Sequence, residues 1–279
     1  MLDIPAPQFS LQTTFASGQT FRWRAHEGWW YGFIGPSVVK VKQDGERLVC
    51  DTSDSTLTQE RLIHYFALDL SLDDILRQID VDIQIHQAIE RYRGLRVLRQ
   101  EGWEVLASFI CASFNNIKRI EGMIENVCHT YGRPVSLNGF RGFGFPDAAT
   151  IAGVSERRLR SLGLGYRAPY LKATARLVAD GKLPLDHLRR VEYEATKSAL
   201  LQCEGVGDKV ADCVALFGFE KYEAFPVDVW IERAMGYYFR HRKATRSHLH
   251  AYARRHFGPY AGYAQQYLYH YIRHARSTG

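Results

Sequence analysis

Apolar positions change their period along this chain. Between Phe21 and Cys50 they fall in short runs rich in aromatic and β-branched residues: Phe21-Arg22-Trp23, Trp29 to Phe33, Val38 to Lys42 and Arg47 to Cys50. Gly28, Gly35-Pro36 and Asp44-Gly45 separate these runs, and Asp-Gly is a hairpin signal because its turn needs positive φ. Helical periodicity takes over from Thr58. From Trp103 onward nearly every segment reads as helix, with turns at Gly132-Arg133-Pro134, Gly142 to Pro146, Gly163 to Gly165 and Gly181 to Pro184. The pattern predicts an α+β chain, with an antiparallel sheet domain and flanking helices over residues 1–95 and a helical domain over 96–279. There is no internal repeat and no low-complexity tract.

One segment, Leu200 to Trp230, carries most of the candidate chemistry. Tyr193 to Cys203 holds helix formers without Gly or Pro, and Gly205-Val206-Gly207 then breaks the pattern. From Asp208 the helical period resumes, with Val210, Cys213, Val214 and Phe217 at i, i+3, i+4 and i+7. The predicted hairpin spans about residues 193–219. Unpaired N–H groups at the start of its second helix suit a phosphate, and glycine at 205 and 207 lets the backbone approach it closely.

Lys209 lies in the first turn of that helix. The positive helix end and partial burial both disfavour its ammonium form, so a lowered pKa and a nucleophilic amine are expected. Asp228 follows 19 residues later, after Pro226, at the start of another helical pattern. It can stabilise cationic character at a breaking glycosidic bond or assist proton transfer. Each element also has a plainer explanation: Gly-Val-Gly as an ordinary turn, Lys209 as a surface lysine, Asp228 as a helix cap. The cap and the chemical role are compatible.

Composition narrows the class. Hydrophobic residues make up 46% of the 279 residues, enough for a packed core and against disorder. The formal charge of +6 is unevenly placed: residues 229–279 hold nine Lys/Arg and one acid, Glu232. Such a basic stretch fits phosphate neutralisation, or simply a solvated positive surface. The five cysteines, Cys50, Cys111, Cys128, Cys203 and Cys213, are widely spaced with no C-x-x-C, which argues against zinc. No cysteine follows Cys213, which argues against a clustered-thiolate iron–sulfur centre. No signal-like or membrane-length apolar run is present, so an intracellular, reduced, membrane-free protein is expected.

The segment resembles the helix-hairpin-helix glycosylases that carry a Gly/Pro-rich loop and a following Asp. Within them, Lys209-Val210-Ala211-Asp212-Cys213 and Pro226-Val227-Asp228 are similar to 8-oxoguanine DNA glycosylase/lyases. Ser17 to Trp23, Ser108 to Ile117, Leu162 to Arg167 and Gly258 to Gly262 extend the resemblance over roughly residues 9–270. It implies a TATA-binding-protein-like sheet packed on the helical core. It also implies a bifunctional enzyme acting on double-stranded DNA, with 8-oxoguanine opposite cytosine as its substrate. Lys209 then attacks the deoxyribose C1′, Asp228 stabilises the developing charge, and β-elimination nicks the strand. A monomer without a redox cofactor is expected.

The resemblance also implies a base pocket of Gly18, Phe109, Cys213, Pro226, Gln265 and Tyr269. Gly18 would offer its carbonyl to the N7 hydrogen of 8-oxoguanine, and Gln265 would read the Watson–Crick edge. Cys213 and Tyr269 would sandwich the base. Tyr166 would wedge into the duplex, Arg119 and Arg167 would read the estranged cytosine, and Asn115 and Asn116 would contact the same strand or the backbone. Gly205, Val206, Gly207 and Trp230 would lie against phosphate. Backbone carbonyls of Leu201, Cys203 and Val206 would hold a structural Na+ or K+. Three positions depart from the pattern. Phe114 replaces an asparagine that helps recognise cytosine, which predicts relaxed selectivity. Trp230 stands where histidine occurs, and Glu204 where proline often occurs. Excision of another damaged purine, alkylated or ring-opened, and non-catalytic damage binding are the alternatives.

Overall fold

The computed structural model describes residues 1–238 and 245–275. Strands β1 (Leu2–Pro5), β2 (Arg24–His26), β3 (Trp29–Ile34), β4 (Ser37–Asp44) and β5 (Arg47–Thr52) form one antiparallel sheet in the order β1-β5-β4-β3-β2. Helices α1 (Leu11–Ala16), α2 (Gln59–Tyr65), α3 (Leu72–Ile79), α4 (Ile83–Arg91), α5 (Gly102–Ala112) and α6 (Ile117–Tyr131) accompany and follow it. A small hairpin, β6 (Pro134–Leu137) and β7 (Phe140–Phe143), comes next. Then come α7 (Ala148–Gly153), α8 (Glu156–Leu159), α9 (Ala168–Ala179), α10 (Leu185–Arg190), α11 (Tyr193–Leu201), α12 (Asp208–Phe219), α13 (Val229–Tyr238), α14 (Arg246–Phe257) and α15 (Ala261–Ala275).

One face of the sheet carries a core, and on the other the β6–β7 hairpin covers Tyr31 and Phe33. Ile4, Ile34, Val39, Val41, Leu48 and Cys50 pack with Phe9, Phe15, Leu62 and Phe66 into a first core. Trp23 anchors it, stacked on Phe15 at 4.3 Å and donating its indole N–H to Tyr65 Oη at 2.9 Å. The expected strand at Phe21-Arg22-Trp23 is irregular backbone instead, and β2 begins at Arg24. The second core is larger and helical, and it includes Leu72, Ile75, Ile79, Ile85 and Ile89. Helices α3 and α4 therefore pack with the later helices, although they precede residue 95.

Two features were not anticipated. Strand β1 pairs with β5 through Leu2↔Cys50 and Ile4↔Leu48. The β6–β7 hairpin interrupts the helical region at Asn138-Gly139, whose φ angles of 49° and 86° make the two-residue turn.

Helix α12 is the spine of the second core. Every residue from Val210 to Phe219 is buried. Its N-cap is Gly207, which has no side chain to satisfy the first N–H groups. Before it, Gly205 has φ +79°, and a Cβ there would stand 2.4 Å from the Tyr170 ring. Gly205 is thus required by backbone conformation and by packing. Gly207 faces open space, so only the first glycine is demanded by the fold itself.

Candidate active site

Three distant pieces of chain meet at α12. The loop Ser17–Thr20 comes from the sheet domain and is pinned by the buried Gln19. That amide donates to Thr14 O at 3.2 Å, Ser17 Oγ at 2.8 Å and Arg96 O at 2.9 Å, and accepts from Leu98 N at 2.7 Å. On the other side, Gln266 of α15 donates to Ser17 O at 2.8 Å. These bonds fix Gly18 at φ +79°, where an added Cβ would stand 3.4 Å from the Tyr269 ring.

The result is a pocket lined by Ser17, Gly18, Phe109, Lys209, Cys213, Phe217, Pro226, Asp228, Gln265, Gln266 and Tyr269. All six expected pocket residues and the expected catalytic pair are in it. Ser17, Phe217 and Gln266 were missed. Phe217 was within reach of sequence reasoning, being one helical turn beyond Cys213 on the same face. Free space amounts to about 50 Å³, room for a few waters but less than a purine. Lining side chains must move for a base to enter.

The chemistry is concentrated at the throat. Phe109 stacks on Phe217 with centroids 5.6 Å apart, and the Lys209 ammonium stands 5.1 Å over the Phe109 ring. Lys209 is half-buried, and it shares a hydrogen bond with Cys213. Burial pulls its pKa down, but the hydrogen bond to Cys213 and the charge of the Asp228 carboxylate push it up, and the net direction is upward. This corrects the expected lowering. Burial is outweighed by neighbours that favour the ammonium, so Lys209 must lose a proton before it can attack. Burial pushes the Cys213 thiol up to about 11, so it is neutral near pH 7.

Asp228 caps α13. One oxygen, Oδ1, accepts from Trp230 N at 3.0 Å and Ile231 N at 2.8 Å. The other carries no hydrogen bond among the described residues. The cap therefore fixes the carboxylate in place and leaves Oδ2 for chemistry. At the pocket floor, Gln265 is 4% exposed and its Oε1 has no partner. A buried, unsatisfied acceptor calls for a donor supplied by a ligand.

A wider cavity of about 430 Å³ opens outside, lined by Ser113, Phe114, Asn115, Gly205, Gly207, Trp230 and others. Lys209 and Asp228 line both spaces. Asn116 caps α6 by accepting from Arg119 N at 3.0 Å, and the Arg119 side chain is exposed. Asn115 is half-buried and bonds within its own loop, to Cys111 O at 3.4 Å and Asn116 N at 3.1 Å. Tyr166 is 48% exposed, and its hydroxyl donates to Ser113 O at 3.1 Å.

Arg167 departs from expectation. It is buried, its Nε donates to Ser113 O at 3.1 Å, and one Nη reaches the carbonyls of Ser113 and Phe114. Its guanidinium braces the 113–116 loop, and it must leave these carbonyls to meet a base.

At the hairpin, Cys203 O accepts from Val206 N at 3.1 Å, which leaves that carbonyl one lone pair. The carbonyls at Leu201, Cys203 and Val206 are hard oxygen donors of the kind a monovalent cation takes. Glu204 is exposed. Of the nine basic residues near the C-terminus, Arg240, Arg242, Lys243 and Arg276 lie outside the described residues. Arg254 is paired with Glu194. No helix among the described residues is long and apolar enough to cross a membrane.

An amine and a carboxylate at the throat of a pocket, above a helix-hairpin-helix turn, define the DNA glycosylase class. Residues 1–106 match the N-terminal domain of 8-oxoguanine DNA glycosylase, and residues 107–259 match the HhH-GPD superfamily of base excision DNA repair proteins. A probable N-glycosylase/DNA lyase of Methanothermobacter thermautotrophicus is 32% identical, over 99% of this chain and 96% of that protein. The solved structure of MBOgg1 with a low-affinity DNA ligand superposes with a TM-score of 0.94 at 33% identity, covering 98% of this chain and 96% of that one. An 8-oxoguanine glycosylase/lyase of Clostridium acetobutylicum, solved with duplex DNA bearing cytosine opposite 8-oxoguanine, has a TM-score of 0.92 at 29% identity, over 99% of each chain. The chain belongs to the HhH-GPD superfamily, in the branch that carries the 8-oxoguanine DNA glycosylase N-terminal domain.

Proposed function

We propose that this protein excises 8-oxoguanine from duplex DNA and then nicks the abasic strand. The observation that carries the reading is the joint placement of Lys209 and Asp228 at the throat of a pocket floored by the unpartnered Gln265 acceptor. An extruded 8-oxoguanine offers Gln265 the N1–H and N2–H donors of its Watson–Crick edge. Its N7–H, which guanine lacks, suits the Gly18 carbonyl. Leaving a buried acceptor unpaired costs about 1–3 kcal/mol, enough to disfavour guanine.

The chemistry follows from the pair. Deprotonated Lys209 Nζ forms a bond to C1′ as the C1′–N9 bond breaks, and the base leaves with that electron pair. Asp228 stabilises the positive charge that develops on the sugar. Ring opening gives a Schiff base. Loss of a C2′ proton then expels the 3′-phosphate by β-elimination. Phosphate is held by the uncapped N–H groups that follow Gly207, with Gly205, Val206 and Trp230 beside them. A Na+ or K+ on the Leu201, Cys203 and Val206 carbonyls would add positive charge there. Tyr166 wedges into the duplex and Arg119 faces the estranged cytosine. The protein acts as a monomer.

Single-turnover excision from duplexes that differ only in the lesion tests this. The expected order places 8-oxoguanine first, with strand nicking to follow. Preference for 3-methyladenine or a ring-opened purine would replace the substrate. Tight binding of damaged duplex with base and strand left intact would reduce the protein to a binding module.

A further inference from the structure

Helix α15 offers one continuous face to the Ser17–Gly18 loop. Gln266 donates to Ser17 O, Gln265 and Tyr269 line the pocket, and Arg273 follows Tyr269 by one helical turn. The first three have places in the pocket, whereas Arg273 does not line it. Its guanidinium nevertheless packs against the back of the pocket wall. A Cβ added to Gly18 would stand 3.4 Å from Arg273 Nη1, as it would from Tyr269, and 3.7 Å from Ile117. Arg273 Nη1 is shielded from solvent. A guanidinium stays charged throughout the working pH range. That charge is felt at the pocket wall: burial raises the Tyr269 phenol, and Arg273 opposes this more strongly than Lys209 does.

A positive charge in that place has a use in the reaction. As the C1′–N9 bond breaks, the purine takes the bonding pair and becomes an anion, which water then protonates. In 8-oxoguanine that charge spreads through the five-membered ring to O8, next to the N7–H that suits the Gly18 carbonyl. We propose that Arg273 is a positioning residue for base release: held behind Gly18 and Tyr269, its guanidinium sets a fixed positive charge beside the purine edge where negative charge gathers. The inference rests on the reading of the inner pocket as an extruded-base pocket. A charge placed before the reaction needs no reorganisation during it, and a pocket filled by the base screens it weakly. Arg273 thus complements the pair at the throat. Asp228 stabilises the sugar as it becomes positive, and Arg273 stabilises the base as it becomes negative.

Only base release requires this charge, because β-elimination from a preformed abasic site has no base to expel. Arg273→Gln is neutral and of similar shape, and Arg273→Lys keeps the charge. Each is compared with wild type in single-turnover excision of 8-oxoguanine opposite cytosine, and in nicking of a duplex that carries a preformed abasic site. Arg273→Gln should slow excision about 10-fold, a fraction of the roughly 100- to 1,000-fold that a direct donor supplies. It should nick the abasic duplex at the wild-type rate, which also shows that the variant is folded. Arg273→Lys should recover most of the excision rate. Excision by Arg273→Gln at the wild-type rate overturns the proposal. So does an equal loss in both steps, which would make Arg273 a brace for the Ser17–Gly18 loop, and so does a lysine variant no faster than the glutamine one. Wild type that spares 8-oxoguanine but excises another purine overturns the proposed substrate. The Arg273 proposal then stands if the same split between the two steps appears on that purine, and falls if it does not. Wild type that releases no base overturns both.

Discussion

Helix α12 carries chemically similar pairs on two of its sides. Lys209 and Asp228 line the same pocket throat. Three residues along, Asp212 meets Lys197 of α11, at 3.1 Å and 3.2 Å from its two oxygens. Asp212 is fully buried and densely partnered. Tyr193 Oη donates to it at 2.6 Å, and His250 Nδ1 lies 3.4 Å away. Lys197 also lies 3.3 Å from Asp208. At the other pair, Asp228 keeps one oxygen uncommitted and Lys209 borders open space. The same two residue types make an anchor where both carboxylate oxygens are engaged, and a candidate reaction centre where one is not.

Substitution should separate the two pairs. The largest expected effect on stability is at the anchor. Lys197→Met strands a buried carboxylate and should cost about 3–5 kcal/mol, read as a fall in melting temperature, while the folded fraction still excises. Asp228→Asn should do the reverse. It should slow excision by about 100-fold, while its amide oxygen still caps α13 and melting hardly changes. If Lys197→Met abolishes excision without loss of stability, or Asp228→Asn mainly unfolds the protein, the division between anchor and reaction centre is wrong.

A smaller effect sharpens the anchor. Burial pushes Asp212 up to about 6, against the opposing pull of Lys197 and Tyr193. Its unfolded value is about 3.9. Between these values the folded state binds a proton that the unfolded chain releases, so Asp212 favours folding more as pH falls through that window and less as pH rises. The melting temperature of wild type relative to Asp212→Asn should therefore rise by about 2–4 °C between pH 7 and pH 4.5. A difference that is independent of pH contradicts this.

Much of the arrangement was legible in the sequence because it is local. The Val210-Cys213-Val214-Phe217 stripe set the buried face of α12, and the Gly205 turn and the Asp228 cap are short-range signals. The base pocket was placed by family resemblance, since Gly18 and Gln265 are 247 residues apart. The misses share a dependence on what lies far off in the chain. Strand β1 is four residues long and exists through its pairing with β5. Asn138-Gly139 is a genuine turn signal, but the flanking strands are only four residues each, too short for a period-2 pattern to stand out between helices. The upward direction at Lys209 depends on Asp228 and Cys213 closing around it, and Arg167 turns inward to carbonyls more than fifty residues earlier in the chain.

The central claim is that Lys209 is the amine that reaches the sugar, and borohydride trapping tests it most directly. Incubated with an 8-oxoguanine duplex and reductant, wild type should form a covalent protein–DNA adduct, and Lys209→Gln, equally folded, should form none. An adduct of equal yield from Lys209→Gln, or none from wild type, would contradict the account.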